Sequence, residues 1–209
     1  MTPEHPNPNL DASRAESFAA VGLASSAGGV VALQRLFGAL PSDLPIAVLI
    51  VQHVDRRHGT LLADILARRT SLKVTIAEDG ELTQPGRVYI AKPDHHLLVE
   101  RGGRVRLTQT ELVHFVRPSA DLLFESMAAT WGPKAIGCVL TGSVEDGAMG
   151  VRAIKERGGT VIVQDPTEAQ FSGMPQAAVR TGCADFVLPL DEIATAISVL
   201  ATEGRGGLS

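Results

Sequence analysis

Short, largely apolar runs alternate with stretches whose apolar residues recur at helical spacing, and this rhythm limits the fold more than any single motif. Runs of strand length lie at Ala19–Leu23, Ile46–Gln52, Lys73–Ala77, Arg87–Ala91, Ala135–Thr141, Thr160–Gln164 and Asp185–Leu188. Helical spacing marks Gly29–Leu40, Leu61–Arg69, Ala120–Trp131, Gly147–Arg157, Pro175–Arg180 and Asp191–Ala201. Strands that alternate with helices pair in parallel and are covered on both faces. The expectation is a three-layer α/β/α domain with a doubly wound, mostly parallel sheet of Rossmann-like type. The middle of the chain breaks the rhythm. His96–Glu100 and Arg104–Thr108, joined through Gly102-Gly103, read as an antiparallel hairpin at one edge.

Length and balance fit one domain. A chain of 209 residues with 44% hydrophobic and 20% charged residues can form a full core. We expect a single domain over 18–202, a disordered N-terminal tail over 1–17 and a flexible C-terminal tail over 203–209. The net charge of −4 gives no electrostatic reason to expect nucleic acid or an anionic membrane as partner. The N-terminal tail is polar, carries three prolines and lacks the apolar core of a signal peptide. No segment approaches the roughly 18 to 20 apolar residues of a membrane span. A cytoplasmic protein without membrane insertion is expected, with Cys138 and Cys183 as reduced thiols. His58, His95 and His96 have no ligand-spaced partners, so no metal and no cofactor is expected.

In an open α/β sheet the working residues sit beyond the carboxyl ends of the strands. Three strand ends carry reactive groups here. The first run passes into Ala24-Ser25-Ser26-Ala27-Gly28-Gly29, a turn of small residues that opens a helix. Such a turn holds a serine hydroxyl in the open with helix amides behind it. The second run ends at His53, and the run from Ala135 ends in Thr141-Gly142-Ser143-Val144-Glu145-Asp146-Gly147. Ser26, His53 and Asp146 thus supply a nucleophile, a base near neutral pH and a carboxylate to orient it. Each residue also has a plainer role. Ser26 and Asp146 suit helix N-caps, and His53 suits a strand end that meets solvent. A dinucleotide site competes too, with Asp55 as ribose acid, but Gly-x-Gly-x-x-Gly is absent. The coincidence of three strand ends favours a triad. Its chain order of Ser, His, Asp differs from the Ser, Asp, His of α/β-hydrolases, which implies another sheet topology.

Further blocks accompany the triad: Gln52-His53, Glu78-Asp79-Gly80 with Pro85 to Ala91, Arg117-Pro118-Ser119-Ala120-Asp121, Leu140 to Gly147, and Phe171-Ser172-Gly173-Met174-Pro175. Together with the Ala24–Gly29 turn, and in this order over residues 18–200, they resemble the catalytic domain of the CheB-type chemotaxis protein-glutamate methylesterases. The resemblance implies hydrolysis of glutamate γ-methyl esters on the cytoplasmic helices of methyl-accepting chemoreceptors, with release of methanol. Some members also deamidate receptor glutamines. It assigns the catalytic roles to Ser26, His53 and Asp146, and places the oxyanion against backbone amides of the turn at Ala27 and of the loop at Ser143. Arg117 matches an arginine near the site, where bracing of its loop is preferred over steering of an anionic substrate.

The chain also departs from the family pattern. Ala24 stands for glycine, Ala27 for threonine, and Ser143-Val144-Glu145 for Met-Gly-x, which adds a carboxylate beside the site. Only some 17 polar residues, Met1 to Ser17, precede the apolar stretch that begins at Phe18, so a stand-alone esterase without the family's receiver domain is expected. It would then be constitutive, regulated in trans, or at work outside classical receptor adaptation, with a receptor methyltransferase or a separate response regulator as a further partner. Two other readings stand beside this one: a catalytically silent docking protein of the same fold, and a hydrolase of a non-receptor ester. The basic segment with Arg56, Arg57, Arg68, Arg69 and Lys73 reads as a solvated face, and secondarily as a surface for a glutamate-rich helix.

Overall fold

The computed structural model describes residues 19–53 and 61–203. At the centre of its main sheet lies β1 (Ala20–Ser25), whose six residues are all buried. On one side β1 pairs with β2 (Ala47–Gln52), followed outward by β4 (Arg87–Ile90) and β3 (Lys73–Ile76). On the other side come β7 (Ala135–Val139), β8 (Thr160–Gln164) and β9 (Phe186–Leu188). Every pairing in this seven-stranded sheet is parallel. The chain winds outward from β1 through β2, returns to β7 and winds outward again. The junction of β1 and β7 is therefore the point where strand order reverses, and α/β sheets of this kind open a crevice there.

Alternation along β1 explains the two cores. Val21 and Leu23 face α1 (Gly29–Ala39), α2 (Leu62–Ala67) and α6 (Leu190–Glu203), packing with Leu33, Phe37, Leu66 and Ile193. Ala20 and Ala24 face the opposite layer, α3 (Ala120–Trp131), α4 (Ala148–Glu156) and α5 (Gly173–Arg180), through Phe124, Met127, Ile154 and Met174. The three-layer expectation holds in this form.

The antiparallel hairpin is present as β5 (His96–Glu100) and β6 (Arg104–Thr108). It forms its own two-stranded sheet and does not extend the main one. It lies on the β3–β4 side, where the stretch after β3 is bonded to it. The Gly80 N–H donates to the Val105 carbonyl at 2.9 Å, and the Val105 N–H donates to the Glu81 carbonyl at 2.8 Å. Leu97, Val99 and Val105 join the second core. Element limits otherwise differ from expectation by a residue or two. The start of α5 at Gly173, ahead of Pro175, follows from proline's missing N–H being harmless in a first helical turn.

The expected tails lie outside the described residues except for Glu203, which ends α6, and so do Asp55, Arg56, Arg57 and His58. Cys138 is buried in β7 and Cys183 half-buried, and both are free thiols. Among the described residues no helix is long and apolar enough to cross a membrane.

Candidate active site

Strand register brings the first two site residues side by side. Ser25 pairs with Gln52, so the next residues beyond the sheet are Ser26 on β1 and His53 on β2. The Gln52 side chain fastens them there. Its Nε2 donates to the carbonyls of Ser26 and His53, each at 2.9 Å, and its Oε1 accepts the Ser25 hydroxyl at 2.7 Å. The His53 N–H completes the clasp by donating to the Ser25 carbonyl at 3.0 Å. Gly28 then turns the chain into α1 as its N-cap, with φ of 76°, in the left-handed region that glycine enters without strain. Ser26 is left half-buried at the head of this turn.

The third strand end supplies the acid. Asp146 is buried, and His53 donates to it through Nε2, 2.9 Å from Oδ2. With Nε2 carrying the proton, Nδ1 is the ring's basic nitrogen. That Nδ1 is buried and has no hydrogen-bond partner among the described residues. Three more donors converge on the Asp146 carboxylate: Ser119 Oγ on Oδ1 at 2.8 Å, Ala120 N–H on Oδ2 at 2.5 Å and Asp121 N–H on Oδ1 at 3.1 Å. Burial alone would raise its pKa, but the bonds from His53 and from the Ala120 and Asp121 amides outweigh it and hold the carboxyl below its ordinary 3.8. Ala120 and Asp121 open α3, so the carboxylate also sits at the positive end of that helix. The arrangement is reciprocal. Asp121 accepts from the Gly147 and Gly150 amides at the start of α4, at 3.0 and 2.7 Å. Burial, only partly offset by these two bonds, pushes its carboxyl up.

The Thr141–Asp146 loop closes the crevice over Ser26. The Ser26 N–H donates to the Thr141 carbonyl at 3.0 Å, and Thr141 Oγ1 accepts the Phe171 N–H at 2.9 Å. Gly142 lies so close that a Cβ there would stand 2.2 Å from Met174 Sδ and 2.9 Å from Ser26 Cβ. The methionine end can yield, but Ser26 cannot without leaving its turn. A Gly142→Ala protein is expected to lose about 1 to 3 kcal/mol of stability, read from its urea midpoint.

Arg117 is taken up by its own loop. Its Nε and Nη2 donate to Asp94 Oδ1 at 3.0 and 2.7 Å, and Nη1 donates to the carbonyls of Gln109 and Thr110 at 3.0 and 2.6 Å. Glu145, the added carboxylate, accepts from Arg180 Nη2 at 2.9 Å, and both side chains are exposed. Arg68, Arg69 and Lys73 are exposed as well.

Several site residues have a role that sequence reasoning did not assign. Ser25, Gln52 and Gln164 are fully or almost fully buried, although each reads as the polar edge of an apolar run. The available signal was their recurrence at the carboxyl ends of three strands. Ser119 was quoted within a block, but nothing in sequence spacing ties it to Asp146, 27 residues on.

Residues 21–197 match the family model described as CheB methylesterase. A Leptospira interrogans relative is 38% identical over 178 residues, which is 85% of this chain and 92% of that protein. The protein-glutamate methylesterase/protein-glutamine glutaminase of Moorella thermoacetica is 41% identical over 186 residues, 87% of this chain but 44% of the relative. The chain thus spans nearly all of one relative and less than half of the other. Among solved structures, the crystal structure of the Thermotoga maritima CheB methylesterase catalytic domain superimposes with a TM-score of 0.84 at 35% identity, covering 88% of this chain and 99% of that one.

Proposed function

Because this chain belongs to the CheB methylesterase family, we propose that it is a serine hydrolase acting on glutamate γ-methyl esters. Its substrates are the cytoplasmic helices of methyl-accepting chemoreceptors, and its residues 18–202 work as one domain in the cytoplasm. The observation that carries this reading is the His53–Asp146 pair, whose Nδ1 is buried without a partner among the described residues, with His53 and Ser26 directly following the paired Gln52 and Ser25.

Ser26 Oγ attacks the ester carbonyl and passes its proton to His53 Nδ1, while Asp146 keeps the opposite ring nitrogen bonded and stabilises the imidazolium. The ring nitrogens serve in the reverse order of the Ser-His-Asp template, where the acid holds Nδ1. The Ala27 and Ser143 amides receive the oxyanion, aided by the N-terminus of α1. His53 then returns the proton to the departing methoxide, giving methanol. A water deprotonated by the same nitrogen hydrolyses the acyl-enzyme and restores Ser26. The identical sequence on a glutamine amide expels ammonia, in keeping with the paired activities in the name of the Moorella relative. Arg117 braces the site from its loop.

Methanol release from methyl-labelled chemoreceptors tests the reading. Release by the wild type that vanishes with Ser26→Ala supports it. No release from a correctly folded wild type sinks it, and leaves a different ester or a silent docking role.

A further inference from the structure

His96 takes no part in these steps, yet it stands one residue away from them. The ring is buried in β5, where a polar side chain must find partners. Its Nδ1 accepts the Ser119 N–H at 3.2 Å, and its Nε2–H donates to the Glu111 carbonyl at 3.0 Å. These two bonds fix one tautomer of the neutral ring. Burial holds His96 below the usual histidine range and outweighs the bond to Glu111, so the ring is neutral at pH 7. Ser119 is the N-cap of α3, and a capping hydroxyl normally only accepts from its helix. Here it also donates to Asp146 Oδ1 at 2.8 Å, which leaves Oδ2 facing His53.

Resting on the triad described above, we propose that His96 is a positioning residue: through Nδ1 it fixes the Ser119 backbone, so that the Ser119 hydroxyl holds the Asp146 carboxylate in the orientation His53 requires. The two ring nitrogens of His96 therefore have unequal weight. Only the Nδ1 side leads to Asp146, whereas the Nε2 side ties down the Glu111 loop.

Two amides separate these roles. Asparagine can place its oxygen where Nδ1 stands and keep the Ser119 bond. Glutamine reaches the place of Nε2 and keeps only the Glu111 bond. In the full chain, His96→Gln is expected to lower kcat about tenfold with KM unchanged, an effect the size of one lost hydrogen bond. Ser119→Ala should do the same, and the double variant should be no slower than Ser119→Ala alone. His96→Asn should restore the wild-type rate. A brace that served stability alone would favour the longer glutamine or weigh both amides equally.

A second readout does not depend on turnover. The ring N–H proton of His53, assigned by its loss in His53→Ala, gives a low-field proton NMR signal while bonded to Asp146. With the Ser119 donor removed or displaced, Asp146 turns away from His53 and the bond between them weakens, so the signal moves upfield in Ser119→Ala and His96→Gln and stays in place in His96→Asn. A wild type without esterase activity would overturn the proposed function, and this signal would still decide the role of His96. Multiplying losses in the double variant, or an unmoved signal in His96→Gln, overturns the proposal. Should His96→Gln fail to fold, His96→Asn decides alone: an unmoved signal supports the assignment and a displaced one overturns it.

Discussion

Exchange of Ser26 for alanine is expected to lower methyl-ester hydrolysis by several orders of magnitude, exchange of His53 to do the same, and the double variant to be little slower than either. Residues that act as one unit lose their joint contribution once, because a base without its nucleophile has nothing to deprotonate. What remains comes from binding and oxyanion contacts, on the order of 10³ over water in a comparable serine hydrolase. Rates of methanol release for the three variants check this, and multiplying losses would show that the residues do not work together. Ser26→Ala should leave stability within about 0.5 kcal/mol. The bonds that hold the turn run from the Ser26 amide to Thr141 and from Gln52 to the Ser26 carbonyl, and neither uses the hydroxyl.

Asp146→Asn should behave differently, because it damages the fold as well as the rate. Both carboxylate oxygens accept only from donors: Ser119 Oγ and Asp121 N–H on one side, Ala120 N–H and His53 Nε2 on the other. An amide placed there presents an NH2 to two donors whichever way it is turned. With buried donors left unpaired, we expect a loss of about 2 to 4 kcal/mol. The rate should fall on the order of 10³- to 10⁴-fold, since the histidine no longer has a partner that selects its tautomer. The stability gap also has a set pH dependence. The native Asp146 carboxyl is held below its ordinary 3.8, so its contribution is complete above that value and fades as pH falls through the depressed native value. Urea unfolding of wild type and Asp146→Asn should therefore give a gap that narrows below about pH 4.

Much of this was legible in the residues themselves. Apolar runs such as Ile46–Gln52 announce buried strands locally, and the three strand ends bearing Ser26, His53 and Asp146 follow from them without knowledge of strand order. What was not legible depends on that order. Gln52 belongs to the site because β2 lies against β1, and Gln164, which accepts the Thr141 N–H at 2.9 Å, does so because β8 lies against β7. Periodicity fixes neither neighbour. The hairpin was visible from its glycine pair, yet its separation from the main sheet rests on contacts with residues 80–83, which hydrophobic spacing does not encode. Ser119 and His96 act through hydrogen bonds between residues far apart in the chain, the kind of relation a linear reading is least equipped to find.

The mutual capping of α3 and α4 by Asp146 and Asp121 makes the routes to inactivity unequal. A lineage that no longer needs the reaction can discard Ser26 freely, for nothing else among the described residues bonds to its hydroxyl. It cannot discard Asp146 without leaving the donors at the start of α3 unpaired. Relatives that survive as inactive scaffolds should therefore keep the aspartate long after the serine has gone, and an aspartate at this position without the serine and histidine says little about whether a chain of this kind still turns over substrate. The serine is the informative position.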